Sequence, residues 1–358
     1  MSEKVLSEKV LSIEALEDID TPVNGSTESA ARAGSRRKRY ERLSAPDGLP
    51  ALTPVKVQML RYLAEMRFLS LPQLARLCCS SEREDGARED LSRKSARKHL
   101  RALFDAGLVS VLPVSRLALA PPSAVNDASL LYGSAPNVYA PTIEALQLLL
   151  RAGLIEREWA KRPPVVYGPK NSLFLAHELQ VRDVRVWLET CAAASGGQQN
   201  LLVWKDGTDA VIELGNTSPR PNSSPRRVRP DAWFVYKVKP AQDDGKPTVL
   251  VALVEVDRGT ERGERHWGEK IAAYEALLAG DALRTATGYM NARVLVITPD
   301  ERRRDHLACL IAEGAESNAV FAARFWLAEQ TVLDGCGLAL PVWRQSERRD
   351  LRPLVSPR

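Results

Sequence analysis

RPDAWFVY (residues 229–236) and LVALVEVDRGTE (residues 250–261) are the two stretches that decide how this chain folds. Each is a short run of branched and aromatic residues, which reads as strand rather than helix, and DDGKP (243–247) supplies a turn between them. The acids are the anomaly. Asp231 opens the first run, and Glu255 and Asp257 close the second. A carboxylate at the end of a buried strand is costly unless a metal, a cation or a hydrogen-bond network compensates it. Alternate strand residues share a face, so Glu255 and Asp257 point the same way, and Asp231 can reach the same edge from the neighbouring strand. Three converging carboxylates raise each other's pKa unless a divalent cation sits among them, and oxygen-only ligands suit Mg²⁺ or Mn²⁺. The competing reading is a structural ion network, with Glu255 and Asp257 paired to Arg258, Arg262 or Arg229.

Around these runs, residues 171–335 alternate element types. SLFLAHELQVRDVRVWLETCAAA predicts a helix, NLLVWKDG a strand, GEKIAAYEALLAG a helix and ARVLVITP a buried strand. DERRRDHLACLIAEG reads as a helix capped by Asp300, and AVFAARFWLAE as a final strand. The order is α-β-β-β-α-β-α-β, an α/β (α+β) arrangement with a mixed central sheet flanked by helices. Gly259 lets the chain turn after its strand. Trp233 and Trp267 read as core or rim packing, and His177 as a packed or surface histidine. The loop SPRPNSSPRRVRP carries Arg220, Arg226, Arg227 and Arg229 next to Asp231. It reads either as a phosphodiester-binding arm or as an insert without function.

Residues 49–160 read as helices with a short β ribbon. Thr53 caps the first helix with Pro54 at its first position, Ser70 caps the second, and Ser92 caps the third, which Gly107 ends. Two short helices, a basic third helix and then strands LVSVLPVS and NVYAPT give the order of a winged helix-turn-helix, whose last helix enters the DNA major groove. Its exposed face would carry Arg93, Lys94, Arg97, Lys98 and Arg101. The alternative is a solvated helix face without a ligand. Thr142 caps a closing helix, PTIEALQLLLRAG.

Composition narrows the remaining classes. With 358 residues, 44% hydrophobic and 27% charged, the chain suits two globular domains with tails. No apolar run reaches the length of a membrane span and the N-terminus lacks a signal-peptide core, so a cytoplasmic protein is expected. Five cysteines without a CxxC pair argue against a structural zinc site. The net charge of +5 is mild, so any nucleic-acid argument rests on where the charge sits. Residues 1–48 have tail composition, with the basic cluster SRRKRYER (35–42) near the end. Residues 336–358 are expected to form a basic C-terminal tail that includes a strand.

Pro230–Asp231 followed by Glu255 in a strand resembles the PD-(D/E)xK nuclease superfamily, and the element order is similar to its restriction-endonuclease-like fold. More closely, the winged-helix half joined to HELQVRDVRVWL, PDAWFVY, EVDRGTE and EKIAAYEALL resembles the replication-relaxation family of bacterial plasmids and integrative elements, over about residues 50–315. The resemblance implies metal-binding roles for Asp231 and Glu255, with Glu178 on the first helix of the domain as an additional acid. Asp257 stands where the superfamily usually has its catalytic lysine. Lys270, with Tyr274 one turn later on the same face, is the candidate replacement.

Three functions stay open. The first is a DNA-binding protein of a mobile element, acting in plasmid replication, relaxation or transfer, that nicks DNA with Mg²⁺ or Mn²⁺ through Asp231, Glu255, Asp257 and Lys270. The second is a catalytically inactive DNA-binding accessory factor. The third is a winged-helix transcriptional regulator whose second half senses or forms a homodimer. Expected partners are double-stranded DNA and a relaxase, a replication initiator or another mobile-element protein.

Overall fold

The computed structural model describes residues 42, 51–79, 86–112, 114, 116–119, 135, 137–162, 172–215, 227–240, 247–259, 264–315, 318–335 and 338–355. Within them the chain forms a mixed α/β structure with one large mixed sheet. Two units separate, one within Met1–Ala118 and Gly133–Leu173, the other within Leu119–Tyr132 and Phe174–Arg358.

In the first unit, helix α1 (Pro54–Met66) follows Thr53 with proline at its start, as the sequence predicts, but the Thr53 side chain makes no capping hydrogen bond. Strand β1 (Leu69–Ser70) leads into α2 (Leu71–Cys78), where the Ser70 hydroxyl accepts from the Gln73 amide and the Gln73 side chain accepts from the Ser70 N–H. This reciprocal capping box satisfies two N–H groups that the helix cannot pair internally. Helix α3 (Gly86–Asp105) starts six residues before the expected Ser92 cap. The Ser92 hydroxyl instead donates to the Cys79 carbonyl at 3.1 Å, so it fastens α3 to the end of α2. Strands β2 (Val109–Leu112) and β3 (Val138–Pro141) pair antiparallel, and β1 adds to β3 to make a three-stranded sheet. Gly107 turns the chain from α3 into β2 with φ +77°, a left-handed conformation that glycine adopts without strain. Helix α4 (Ile143–Arg151) is capped by Thr142, as predicted. Of the expected N-terminal tail, only Arg42 lies among the described residues, its guanidinium 5.2 Å from the centre of the Phe104 ring.

The second unit is organised by a seven-stranded sheet in the order β12-β11-β10-β9-β8-β7-β4. The opening stretches form β7 (Ala232–Val238) and β8 (Thr248–Val256), paired antiparallel from Ala232↔Val254 to Val238↔Thr248. Strand β4 (Gln199–Asp206) flanks β7, while β9 (Arg293–Thr298) runs parallel to β8, and β10 (Phe325–Glu329) parallel to β9. A separate ribbon joins β5 (Ile212–Glu213) to β6 (Arg227–Val228). Period-2 alternation sorts β8 between two cores. Val251 and Leu253 pack with Trp267, Ile271 and Tyr274 of α6 (Glu264–Ala279) and with Leu307 and Ile311 of α7 (Glu301–Gly314). Ala252, Val254 and Val256 pack with Val181, Val184, Trp187 and Leu188 of α5 (Ser172–Ala194).

Two expectations need correction. AVFAARFWLAE is not one strand: Ala319–Ala322 forms a helical turn in which the Asn318 side chain accepts from the Phe321 amide, and only Phe325–Glu329 enters the sheet. Nor does the sheet end at residue 335. Strands β11 (Trp343–Gln345) and β12 (Leu351–Arg352) extend it beyond β10, because Trp343 is fully buried with its ring centroid 5.9 Å from that of Trp187. An indole of this size removes enough apolar area from water to hold a short strand in place.

Candidate functional site

The acids of the two opening strands meet the helices at one end of the β7–β8 pair. Asp231 precedes β7, its N–H donating to the Val254 carbonyl at 3.0 Å. Its carboxylate accepts the Val256 N–H at 2.7 Å and lies 3.2 Å from His177 Nε2 of α5. Glu255, 2% exposed, looks toward the opposite helical layer, where Lys270 Nζ donates to one oxygen at 2.9 Å and the Tyr274 hydroxyl to the other at 2.5 Å. Lys270 and Tyr274 are one helical turn apart on α6, so a single helix face delivers both donors. The Lys270 ammonium also lies 5.3 Å from the centre of the Trp267 ring.

Asp257 shares the Glu255 face, as the strand period requires, but it has other partners. Its oxygens accept the Gly259 N–H at 2.6 Å, the Trp267 indole N–H at 3.2 Å, and Arg303 through Nε at 3.1 Å and Nη2 at 2.8 Å. Two parallel N–H bonds from one guanidinium make a strong, directional ion pair. Gly259 takes φ +70°, the turn after the strand that the sequence predicts. Glu178 is held by Arg182, whose Nη1 donates at 2.9 Å to its carboxylate and at 2.8 Å to its carbonyl.

The electrostatics follow from this placement. Burial, together with the nearby charge of Asp231, pushes the Glu255 carboxyl up to about 7 against the opposing pull of Lys270 and Tyr274. Burial also lifts the Tyr274 hydroxyl well above its ordinary range, and the charge of Glu255 acts in the same direction. For His177, burial works against the imidazolium, but the hydrogen bond and charge of Asp231 outweigh it and leave the pKa raised.

The structure thus brings Asp231, Glu255, Lys270, His177 and Tyr274 to one sheet end, and engages Asp257 and Glu178 with guanidinium groups. A divalent cation at Glu255 would have to displace Lys270 and Tyr274. Both Glu255 oxygens already accept from an ammonium and a phenol, and among the described residues no three His, Cys, Asp or Glu side chains gather as a ligand set. Arg303 is a residue that sequence reasoning missed, and His177, read from the sequence as a packed or surface histidine, meets Asp231. The RRR run at 302–304 signals a charged helix face without saying which arginine turns inward. His177 lies immediately before Glu178, already singled out on the same helix.

The arginine-rich loop is described only in part. Arg227 in β6 and Arg229 are exposed, while Arg220 and Arg226 lie outside the described residues. On α3, Lys94, Arg97 and Lys98 are exposed and Arg93 is half-buried. Arg101 is half-buried too, bonded to Asp105 through Nε at 3.1 Å and lying over Phe104. Leu100 and Leu103 of the same helix are fully buried.

Among the described residues no helix is long and apolar enough to cross a membrane. No curated protein and no solved structure matches the chain significantly. Residues 60–292, more than half of the chain and parts of both units, match the family model described as replication-relaxation. This chain belongs to the replication-relaxation family.

Proposed function

We propose that the protein binds double-stranded DNA and acts in the replication, relaxation or transfer of a mobile element such as a plasmid, with its first unit working as a winged helix. The order α1-β1-α2-α3-β2-β3, with a short helix (Arg116–Leu119) between β2 and β3 and these two strands paired as the wing, supports this reading. The observation that carries it is the division of α3. Ala96, Leu100 and Leu103 are buried, while Lys94, Arg97 and Lys98 are left to solvent, the pattern of a recognition helix whose outer face meets phosphates and base edges. A relaxase, a replication initiator or a second copy of this chain are the protein partners of this reading, and the cytoplasm is its compartment. The test is duplex-DNA affinity across a salt series. Arg97→Ala and Lys98→Ala should each weaken binding and lower the slope of log affinity against log salt by about 1. Wild-type slopes in both variants would remove the recognition-helix assignment.

A second reading, a Mg²⁺- or Mn²⁺-dependent nickase, has one specific observation in its favour: Lys270 meets Glu255 beside Asp231, the acid, acid and lysine set of the nuclease superfamily. It requires the cation to replace Lys270 and Tyr274 at Glu255. Nicking of supercoiled plasmid in Mg²⁺ or Mn²⁺, abolished by Asp231→Ala and Glu255→Ala, would establish it. Intact supercoils in both metals leave the binding function alone.

A further inference from the structure

Beyond the acid edge, the carboxyl ends of β8 and β9 frame a cleft of about 400 Å³. Arg258 and Gly259 line it from the chain leaving β8, and Asp300, Arg302, Arg303 and His306 line it from the start of α7. We propose that this cleft is a phosphate-binding subsite that takes a phosphodiester of the nucleic-acid backbone.

Three arginines and a histidine are among the lining residues of the cleft. The carboxylate of the lining, Asp300, is engaged as the helix cap, its Oδ1 accepting the Arg303 N–H at 2.8 Å. Arg303 is held in place from behind by its two bonds to Asp257, so its orientation does not have to be fixed when an anion arrives. Arg258 is 8% exposed, and burial lowers its guanidinium pKa. An anion in the cleft offsets that desolvation cost. Planar guanidinium forks match the oxygens of a phosphate in spacing and direction. Gly259 takes φ +70°, where any side chain would be strained, and lines the cleft beside Pro299. Five of the seven residues lining the cleft carry charged or titratable side chains, where small-molecule sites are usually lined by apolar and aromatic ones.

The inference rests on the DNA-binding reading for the source of the phosphate, but not for its chemistry. Free phosphate and a DNA backbone present the same oxygens, so the experiment has two arms. Arg302 and His306 are exposed, and the full-length chain carrying Arg302→Glu or His306→Ala should keep the wild-type melting temperature. In the first arm, labelled duplex is titrated between about 50 and 200 mM salt, with Lys98→Glu on α3 as the comparison. Arg302→Glu is expected to weaken binding several-fold and to lower the salt slope by about 1 or more, and His306→Ala to weaken it less. In the second arm, inorganic phosphate should raise the melting temperature of the wild type and not that of Arg302→Glu.

Wild-type affinity and slope in both cleft variants, alongside weakened binding by Lys98→Glu, would overturn the subsite while the DNA-binding function stands. Phosphate stabilisation lost in Arg302→Glu, without duplex binding by the wild type, would overturn the nucleic-acid source. A wild type that responds to neither probe overturns the cleft and the DNA-binding function together.

Discussion

Arg303 closes two guanidinium N–H groups on the two oxygens of Asp257, across 46 residues of sequence, and ties α7 to the end of β8. The Asp257 side chain is 3% exposed, so this pair neutralises a charge that water cannot reach. Breaking such a pair from one side leaves an uncompensated buried charge, at a cost of about 3 kcal/mol or more. Arg303→Ala is therefore expected to lower the urea midpoint clearly, and Arg303→Ala with Asp257→Asn to recover part of the loss. Equal midpoints for Arg303→Ala and wild type would show that the pair contributes no stability.

Glu255 makes stability depend on pH in the direction opposite to a carboxylate whose folded-state pKa is depressed by a salt bridge. Its folded-state value of about 7 lies above the ordinary 4.5. Between those values the folded chain binds more protons than the unfolded one, and stability falls as pH rises. Glu255→Gln should flatten that segment of a stability–pH curve and make the protein more stable than wild type above pH 7. An unchanged slope between about pH 4.5 and 7 would contradict the burial of this carboxyl.

His177 and Asp231 give a second titration, linked by charge to that of Glu255. Burial lowers the imidazole pKa, but the hydrogen bond and charge of Asp231 leave it above 6.5. The stabilisation from the charged pair is complete below the unfolded value and disappears as pH rises through the folded one. An NMR titration of the His177 ring should show a midpoint above 6.5 that drops in Asp231→Asn. A midpoint unmoved by that substitution would break the assigned contact.

Trp343 tests whether the last strands belong to the domain. It is fully buried against Trp187, and truncating a buried tryptophan costs about 3–5 kcal/mol. Trp343→Ala, or removal of residues 339–358, should lower the melting temperature of the whole chain. Wild-type melting of the truncated protein would return these residues to the status of a tail.

Much of this architecture is legible in local sequence. The caps at Ser70, Thr142 and Asp300 form where short hydroxyl and carboxyl side chains precede helical periodicity. Strands β7 and β8 pair antiparallel where the sequence places two apolar runs, while all of DDGKP but Pro247 lies outside the described residues. Ser92 misled because a hydroxyl at a capping position can instead bond to a carbonyl of the preceding helix. The sequence suggests a strand after Asp334 but not its place in the sheet, because three- and two-residue strands carry no periodicity; a partner in the fold makes them strands.

The sequence by itself determined the mixed α/β class, the two-part organisation of helices and sheet, and the shared face of Glu255 and Asp257, because periodicity and turn chemistry act over a few residues. The tertiary structure decided which cation each acid receives. RRR at 302–304 is three identical letters, yet Arg302 is exposed, Arg303 grips Asp257 and Arg304 bonds Glu329 at 3.0 Å. Successive helical residues point in directions about 100° apart. Only the docking of α7 beside β8–β10 selects which of those directions meets which carboxylate.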